Sequence, residues 1–326
     1  PEQIDITARR LDANSGNLAA LVRAGGGAVV DTVTIGSDAI TNDNGVVRFK
    51  VPTEKGRNTD TALRLDATGL YSLTVSVPGN ASSIAIPIFR IEEITPTNPL
   101  PVAMILSVDA LPTVTPEGTL EIADVSRTEV GAITTVLGAS STPIAVGVRP
   151  ELIDALSQSP TNGDGPLVAE LATAIAKHRL LAMPYLHIDP SVAADSGLGE
   201  AFTAQLRSGE DVLTNALQRL PDRRVWVATD PLSPNGAALV RDLGAVVIVQ
   251  ATGAVNDPTV GESGLSVSAS QPVLVPTPID DWLAEPAVDP VAAAHVVAAR
   301  LLLANKDVVA PKVVLMPNLA RADIAT

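Results

Sequence analysis

Residues 178–197, HRLLAMPYLHIDPSVAADSG, set Tyr185, His187 and Asp189 within five positions, directly after an apolar run. A phenol, an imidazole and a carboxylate so spaced at the end of a strand are the raw material of acid–base chemistry. Other polar residues come after apolar runs in the same way: Asp109, Arg149 with Glu151, Asp230, Gln250, Asp280 with Asp281, and Asn318. Three chemistries are worth testing against this set. A glycosidase needs two carboxylates about 5 to 9.5 Å apart across a sugar, and Asp189 and Asp230 come after neighbouring runs. A metal-dependent deacetylase needs a carboxylate and two histidines together. The chain has three histidines; His178 precedes a strand and His295 lies in a helical stretch, so His187 stands alone and no metal or cofactor is expected. Serine nucleophile chemistry lacks its G-x-S-x-G turn. The structural alternatives are equally concrete. Asp189 before Pro190 reads as a helix N-cap, and Asp230 before Pro231 as a cap or turn. Glu151 after Pro150 suits the first turn of a helix, and Arg149 suits an ion pair.

These residues depend on the elements that carry them. Runs at 101–108, 142–148, 179–186, 223–229, 245–250, 272–276 and 312–317 are continuously apolar, as strands buried on both faces must be. Helical segments separate most of them. Ser208 with Asp211 resembles a capping box ahead of Val212, Leu213, Ala216, Leu217 and Leu220. Ser233-Pro234 and Asp289-Pro290 are helix starts, and Gly244 is a helix end. The segment 251–270 is a Gly/Ser-containing loop after the fifth strand, read either as a lid over the strand ends or as a disordered surface excursion. Seven strand candidates alternating with helices predict an incomplete (β/α) barrel over 97–326, with an open doubly wound sheet as the alternative. Both folds gather function at the carboxyl ends of their strands, and Tyr185, Trp226 and Trp282 are the aromatics near that mouth. Trp226 shares strand parity with Ala228 and so would fill the barrel interior.

Residues 1–96 have a different texture. Val47, Phe49 and Val51 alternate with Arg48 and Lys50, and 69–79 and 82–91 read as further strands. The turn clusters TNDNG and TEKGRNTD separate them, so an all-β, Ig-like sandwich is expected. The Pro-rich stretch 92–101 marks the boundary.

Composition narrows the partners. The net charge of −14 opposes phosphate backbones and anionic headgroups, so neither nucleic acid nor membrane contact by this segment is expected. Absence of cysteine removes disulfides and thiolate chemistry. No apolar run approaches the roughly 18 residues of a membrane span. The chain starts at Pro1 without a signal peptide, which suits a mature piece of a longer protein.

Several motifs in order resemble a family of uncharacterised actinobacterial envelope proteins, known as domains of unknown function encoded beside the lipid II flippase. They are ATGLYSLTVSV (67–77), PVAMILSVDALP (101–112), TPIAVGVRPELIDAL (142–156), LLAMPYLHIDPSVAA (180–194) and VVLMPNLARAD (313–323). The resemblance implies an exported, membrane-anchored protein with a β-sandwich before a glycoside hydrolase/deacetylase-like barrel. It implies an envelope protein or a cell-wall glycan as partner, and a chain that continues past Thr326 to an anchor. This sequence departs from the family pattern where it matters chemically. Arg149 replaces an aspartate before Pro150, the first strand lacks a Trp-Pro, and Leu186-His187 replaces a polar pair, displacing Asp189. A guanidinium in place of a carboxylate inverts the local charge and removes an acid–base group. The expected function is therefore a degenerate barrel acting as an interaction or scaffold module linked to cell-wall assembly. Asp189, Asp230 and His187 are its candidate catalytic remnants; Asp109, Arg149, Glu151, Tyr185, Gln250 and Asn318 are its candidate ligand-binding residues. The competing expectation is a carbohydrate-active hydrolase or deacetylase using Asp189 and Asp230.

Overall fold

The computed structural model describes residues 2–11, 26–44, 46–54, 62–80, 83–91, 102–108, 121–159, 161, 163–228, 230, 232–250, 265–268, 271–274, 294–295, 297–298, 301 and 313–315. The chain divides into two units, Pro1–Leu100 with Asp281–Pro311 and Pro101–Asp280 with Lys312–Thr326.

The first unit is built from β1 (Gln3–Arg10), β2 (Ala28–Gly36), β3 (Thr41–Asp43), β4 (Val46–Arg48), β5 (Thr53–Glu54), β6 (Leu63–Arg64), β7 (Gly69–Ser76) and β8 (Ser83–Arg90). Its main sheet is antiparallel, in the order β2-β1-β7-β8. Period-two alternation puts Ile4, Ile6 and Ala8 of β1 on one face with Val33, Ile35 and Tyr71. Leu63 and Leu65, with Val47, Phe49 and Val51, cover that face. The alternation expected at 47–51 is therefore the alternation observed. The Tyr71 hydroxyl donates to the Ala67 carbonyl at 2.6 Å, pinning the turn that enters β7 as a tyrosine corner does. The TNDNG cluster turns the β3–β4 hairpin, with Asn44 in the left-handed region at φ 50°.

The second unit alternates strands and helices: β9 (Val102–Ser107), α1 (Asp124–Ala139), β10 (Ala145–Gly147), α2 (Pro150–Gln158), α3 (Asp164–Ile175), β11 (Arg179–Leu180), α4 (Pro190–Asp195), α5 (Gly199–Leu217), β12 (Val225–Ala228), α6 (Pro234–Asp242), β13 (Val247–Gln250), β14 (Leu265–Ser268), β15 (Gln271–Leu274) and β16 (Val313–Leu315). One sheet has the order β11-β10-β9-β16, all parallel. A second has the order β12-β13-β15-β14, parallel except for β14. A parallel bridge between Leu181 and Asp222 connects the β11 edge to the approach of β12. Among the described residues the strands do not close into a barrel.

Strand parity sorts this core into two sides. Leu106, Val146 and Leu180 pack against Val130, Ile133, Leu152, Leu171 and Leu213 of the helices. Trp226 and Ile248 pack against Phe202, Leu206 and Val240 in the same manner. On the other parity, Ile105, Leu181 and Val249 form a cluster joined by Ala145, Val225, Val227 and Val247, with no helix residue in it. Trp226 therefore lies on the helix side, with its ring centroid 5.8 Å from that of Phe202, and not in the strand-lined interior.

Other expectations need correction. The run at 179–186 is a strand only as far as Leu180, with a bridge at Leu181. Pro184 has no N–H to give a sheet, and the Tyr185 N–H goes to the Gln205 carbonyl. Ser208 and Asp211 do not start a helix; they lie inside α5, which begins at Gly199. Residues 200–207 contain no breaker, and Phe202 and Leu206 already carry the apolar stripe. Part of the expected lid is the edge strand β14, whose Leu265 and Val267 alternate with serines. The rest of 251–270, and the helix start at Asp289-Pro290, lie outside the described residues.

Two polar ties hold the helices to this core. His178 is buried; its Nδ1 accepts from the Ile144 N–H at 3.1 Å, which leaves Nε2–H to donate to the Leu137 carbonyl at 3.0 Å. It fixes the end of α1 to the start of β10. Arg127 of α1 forks onto Asp164, the first residue of α3, at 2.9 and 3.1 Å, and also donates to the Ile122 carbonyl at 2.8 Å. The Asp164 side chain is 2% exposed. Its hydrogen bonds from Arg127 hold its carboxyl below the usual carboxylate range. A depressed folded-state value gives stability that is present above the unfolded value, near pH 4, and is lost as pH falls through the folded one. Asp164→Asn is expected to cost about 2 kcal/mol at neutral pH by removing the buried carboxylate from the Arg127 fork, while Arg127 keeps its ion pair with Asp124 at 2.9 Å. It should also flatten the loss of stability below about pH 4, as read by urea unfolding across a pH series.

Candidate functional site

The segment after each strand shapes the strand exits of the second unit. After β10, Val148 is buried and Arg149 takes extended backbone as the N-cap of α2, with Pro150 in the first turn. Leu152, Ile153 and Leu156 turn α2 inward. Glu151 and Asp154, three residues apart, then share a flank of the helix. After β11, the chain leaves the sheet and passes across α5. A Cβ at Gly209 would lie 2.1 Å from the Met183 carbonyl oxygen and 3.0 Å from Pro150, so only glycine lets the loop settle there. The Met183 sulfur sits 3.4 Å from the position a Cβ at Gly147 would take, filling the space beside the β10 exit.

Tyr185 is tied down at three points. Its N–H donates to the Gln205 carbonyl at 2.9 Å, the next N–H, of Leu186, points at Gln205 Oε1 at 3.4 Å, and its hydroxyl donates to Asp154 Oδ2 at 2.9 Å. The other Asp154 oxygen accepts from Gln158 at 2.7 Å. Burial, then the Asp154 carboxylate and the nearby Glu151 charge, push the phenol above its ordinary value. Tyr185 is thus held protonated, as the donor to Asp154.

Asp189 has a local partner as well. Its Oδ1 accepts from the Ser191 N–H at 2.7 Å, capping α4. The Ser191 hydroxyl oxygen accepts from the Ser233 N–H at 2.9 Å, and the Ser233 hydroxyl oxygen caps α6 by accepting from the Gly236 N–H at 3.1 Å. A Cβ at Gly236 would lie 2.7 Å from Ser191 Cα, so the two helix starts touch backbone to side chain. Asn235 adds a bond to Asp195 at 2.7 Å. His187, between these clusters, is exposed.

The structure therefore brings Tyr185 together with Glu151 and with Asp154, and it separates this group from the capping network that holds Asp189. Asp230 is exposed, and Arg149, Glu151, Asp230 and Gln250 each hold further interactions. Gln250 ends β13 buried, on the parity of Ile248 and hence on the helix side of the sheet. Asp109 and Asn318 lie outside the described residues, as do Trp282, Asp280 and Asp281. Among the described residues no three His, Cys, Asp or Glu side chains converge as a metal site would require. Sequence reasoning passed over Asp154, Gln205 and Gly209. Only Asp154 carried a signal, its helical spacing from Glu151. No protein-family model matches the chain, and no curated protein matches it.

Three substitutions test these roles. Asp189→Asn is expected to keep stability within about 0.5 kcal/mol, because Asn caps as well as Asp, whereas Asp189→Ala loses about 1 kcal/mol. Gly209→Ala should cost about 1–3 kcal/mol by forcing the Met183–Tyr185 loop off α5. Urea midpoints of the three variants read both effects.

Proposed function

We propose that this chain is a degenerate, non-catalytic (β/α)-barrel protein of the bacterial cell envelope, serving as an interaction or scaffold module in cell-wall assembly. The barrel reading is supported by strand order. From β9 through β10 and β11, and across the Leu181–Asp222 bridge to β12, β13 and, past the hairpin strand β14, β15, parallel neighbours follow chain order, and β16 lies beside β9. Successive right-handed crossovers wound in one direction place every helix on one face, and the described helices pack on one parity. A doubly wound sheet needs helices on both. Ile105, Leu181 and Val249 come from alternate strands of this series, the source of an interior layer in such barrels. Antiparallel β14 takes the outer edge of β15, and among the described residues no pairing joins β14 or β15 to β16, so the ring is incomplete.

One observation carries the non-catalytic reading: two of the acid–base residues beyond the strands, Asp189 and Tyr185, are bound into the scaffold. Asp189 caps a helix and Tyr185 donates to Asp154. The envelope assignment rests on the ordered motifs at 67–77, 101–112, 142–156, 180–194 and 313–323. The full-length protein is then exported and membrane-anchored, and its partner is an envelope protein or a cell-wall glycan. No described helix is long and apolar enough to cross a membrane.

The test is turnover. Soluble peptidoglycan fragments and N-acetylglucosamine oligomers incubated with the protein should keep their masses, with neither chain cleavage nor loss of acetyl groups. Cleavage or deacetylation that disappears in Asp189→Asn or Asp230→Asn, with unfolding midpoints unchanged, establishes the hydrolase instead.

A further inference from the structure

We propose that the end of the α/β unit at which β10 to β13 begin docks on an anionic lipid surface, through Lys177, Arg179, Arg219 and Arg224 beside the exposed side chain of Leu220. Charge is sorted along this unit. Residues 101–250 hold nine cations and seventeen carboxylates. The four segments that lead into these strands, 140–144, 176–179, 218–224 and 243–246, hold five of the cations and one of the carboxylates, Asp222. The remainder is therefore strongly acidic, and this end is basic. Two of the entries are tied together: Arg179 and Arg224 both reach the Asp222 carboxylate, at 3.3 and 2.8 Å. One carboxylate between two guanidiniums leaves positive charge in excess. Lys177 and Arg219 are exposed, two residues from Arg179 and three from Asp222, and among the described residues neither contacts a carboxylate. Three residues of chain span at most about 11 Å, so all four cations lie close to the Asp222 tie.

Apolar surface stands in the same place. Gln218 ends α5 in the left-handed region at φ 52°, and Leu220, two residues on, is 81% exposed. Val246, whose N–H donates to the Arg224 carbonyl at 2.9 Å, is 58% exposed. Helices α1, α3, α5 and α6 end on this side, and their C-termini favour nearby cations. They give no reason for a leucine in water. A bilayer interface takes both: the leucine enters the acyl boundary, while Lys and Arg lay their stems along it and keep their charges among the phosphates. Each such cation adds to the attraction of an anionic leaflet. A net charge of −14 argues against membrane contact only where the acids reach the lipid. Asp124, Asp164 and Glu200 stand in the first turns of α1, α3 and α5. At 1.5 Å per residue those helix ends are roughly 18–28 Å from the basic end, well beyond the Debye length of about 8 Å at physiological salt. Closer by, Glu210 is met by Arg223 and Asp242 by Arg241, and Asp211 lies about 9 Å up α5. The charge distribution thus turns the basic end to the lipid, in a catalytic barrel as in a degenerate one.

The experiment uses the full chain with vesicles of phosphatidylglycerol in phosphatidylcholine, read by flotation at about 0.1 M salt. Saturable binding to these vesicles is expected, with none to phosphatidylcholine alone, and about 0.5 M salt should weaken it roughly tenfold or more. Arg219→Glu and Lys177→Glu should each weaken it about tenfold. Leu220→Ser should weaken it about fivefold. All three positions are exposed, so urea midpoints should stay unchanged. Lys50→Glu, at an exposed position of the β unit, makes the same change in net charge and should bind as the wild type does. No binding, equal binding to phosphatidylcholine, full binding by the Lys177→Glu/Arg219→Glu double variant or by Leu220→Ser, or an equal loss in Lys50→Glu overturns the proposal. Binding of soluble polyglutamate without binding of vesicles assigns this end to an acidic protein segment and overturns the lipid reading.

Discussion

All the described helices that pack on the α/β sheet do so on one parity of its strands, and that constraint shapes the rest of the unit. Strands such as 101–108 and 245–250 are apolar on both faces. Helices cover Leu106, Val146, Leu180, Trp226 and Ile248. Among the described residues the opposite face is met by strand residues alone. Adjacent strands lie about 4.8 Å apart, so alternate strands in a flat sheet stand about 10 Å apart, beyond the reach of aliphatic side chains packed in parallel. Ile105, Leu181 and Val249 nevertheless form one cluster. Inward curling of the sheet meets that demand, which is why the barrel is the architecture proposed for it.

The same constraint decides what becomes of polar residues at the strand exits. With only two residues between β10 and α2, the exit residue Arg149 is drawn into the helix start, whereas Asp189 is drawn into the start of α4 only after the loop that leaves β11. Arg149 and Asp189 both occupy N-cap positions, each with proline as the next residue. The loop after β11 has no free space in which to present Tyr185 and His187 as a pair. It lies against α5 at Gly209, and Tyr185 is turned toward Asp154 while His187 is left in solvent. A strand end that is a functional platform in α/β enzymes here joins elements of the scaffold.

Much of this was legible in the sequence, and the reasons for the exceptions are local. The Asp189-Pro190 and Ser233-Pro234 starts could be read because a cap and a fixed φ act within two or three residues. The alternation of Val47, Phe49 and Val51 could be read for the same reason of short range. The start of α5 could not, because a capping-box pattern at Ser208 is indistinguishable from a mid-helix run until the stripe of Phe202 and Leu206 is placed against the core. β14 was hidden by its serines, which alternate as strand residues do but have loop composition. The bond from Tyr185 to Asp154 spans thirty-one positions and depends on how α2 packs, and no local pattern announces it.

The contact of Ser191 with Ser233 has a consequence for how the unit opens. The two helix starts are fitted to each other: α4 supplies the oxygen for the Ser233 amide, and Gly236 has no side chain to keep α4 away. Fraying of α4 therefore exposes the amide of Ser233, forty-two positions further along the chain. The two segments, distant in sequence and short on their own, melt as a single cooperative patch, and amide hydrogen exchange at Ser233 tracks the local unfolding of α4.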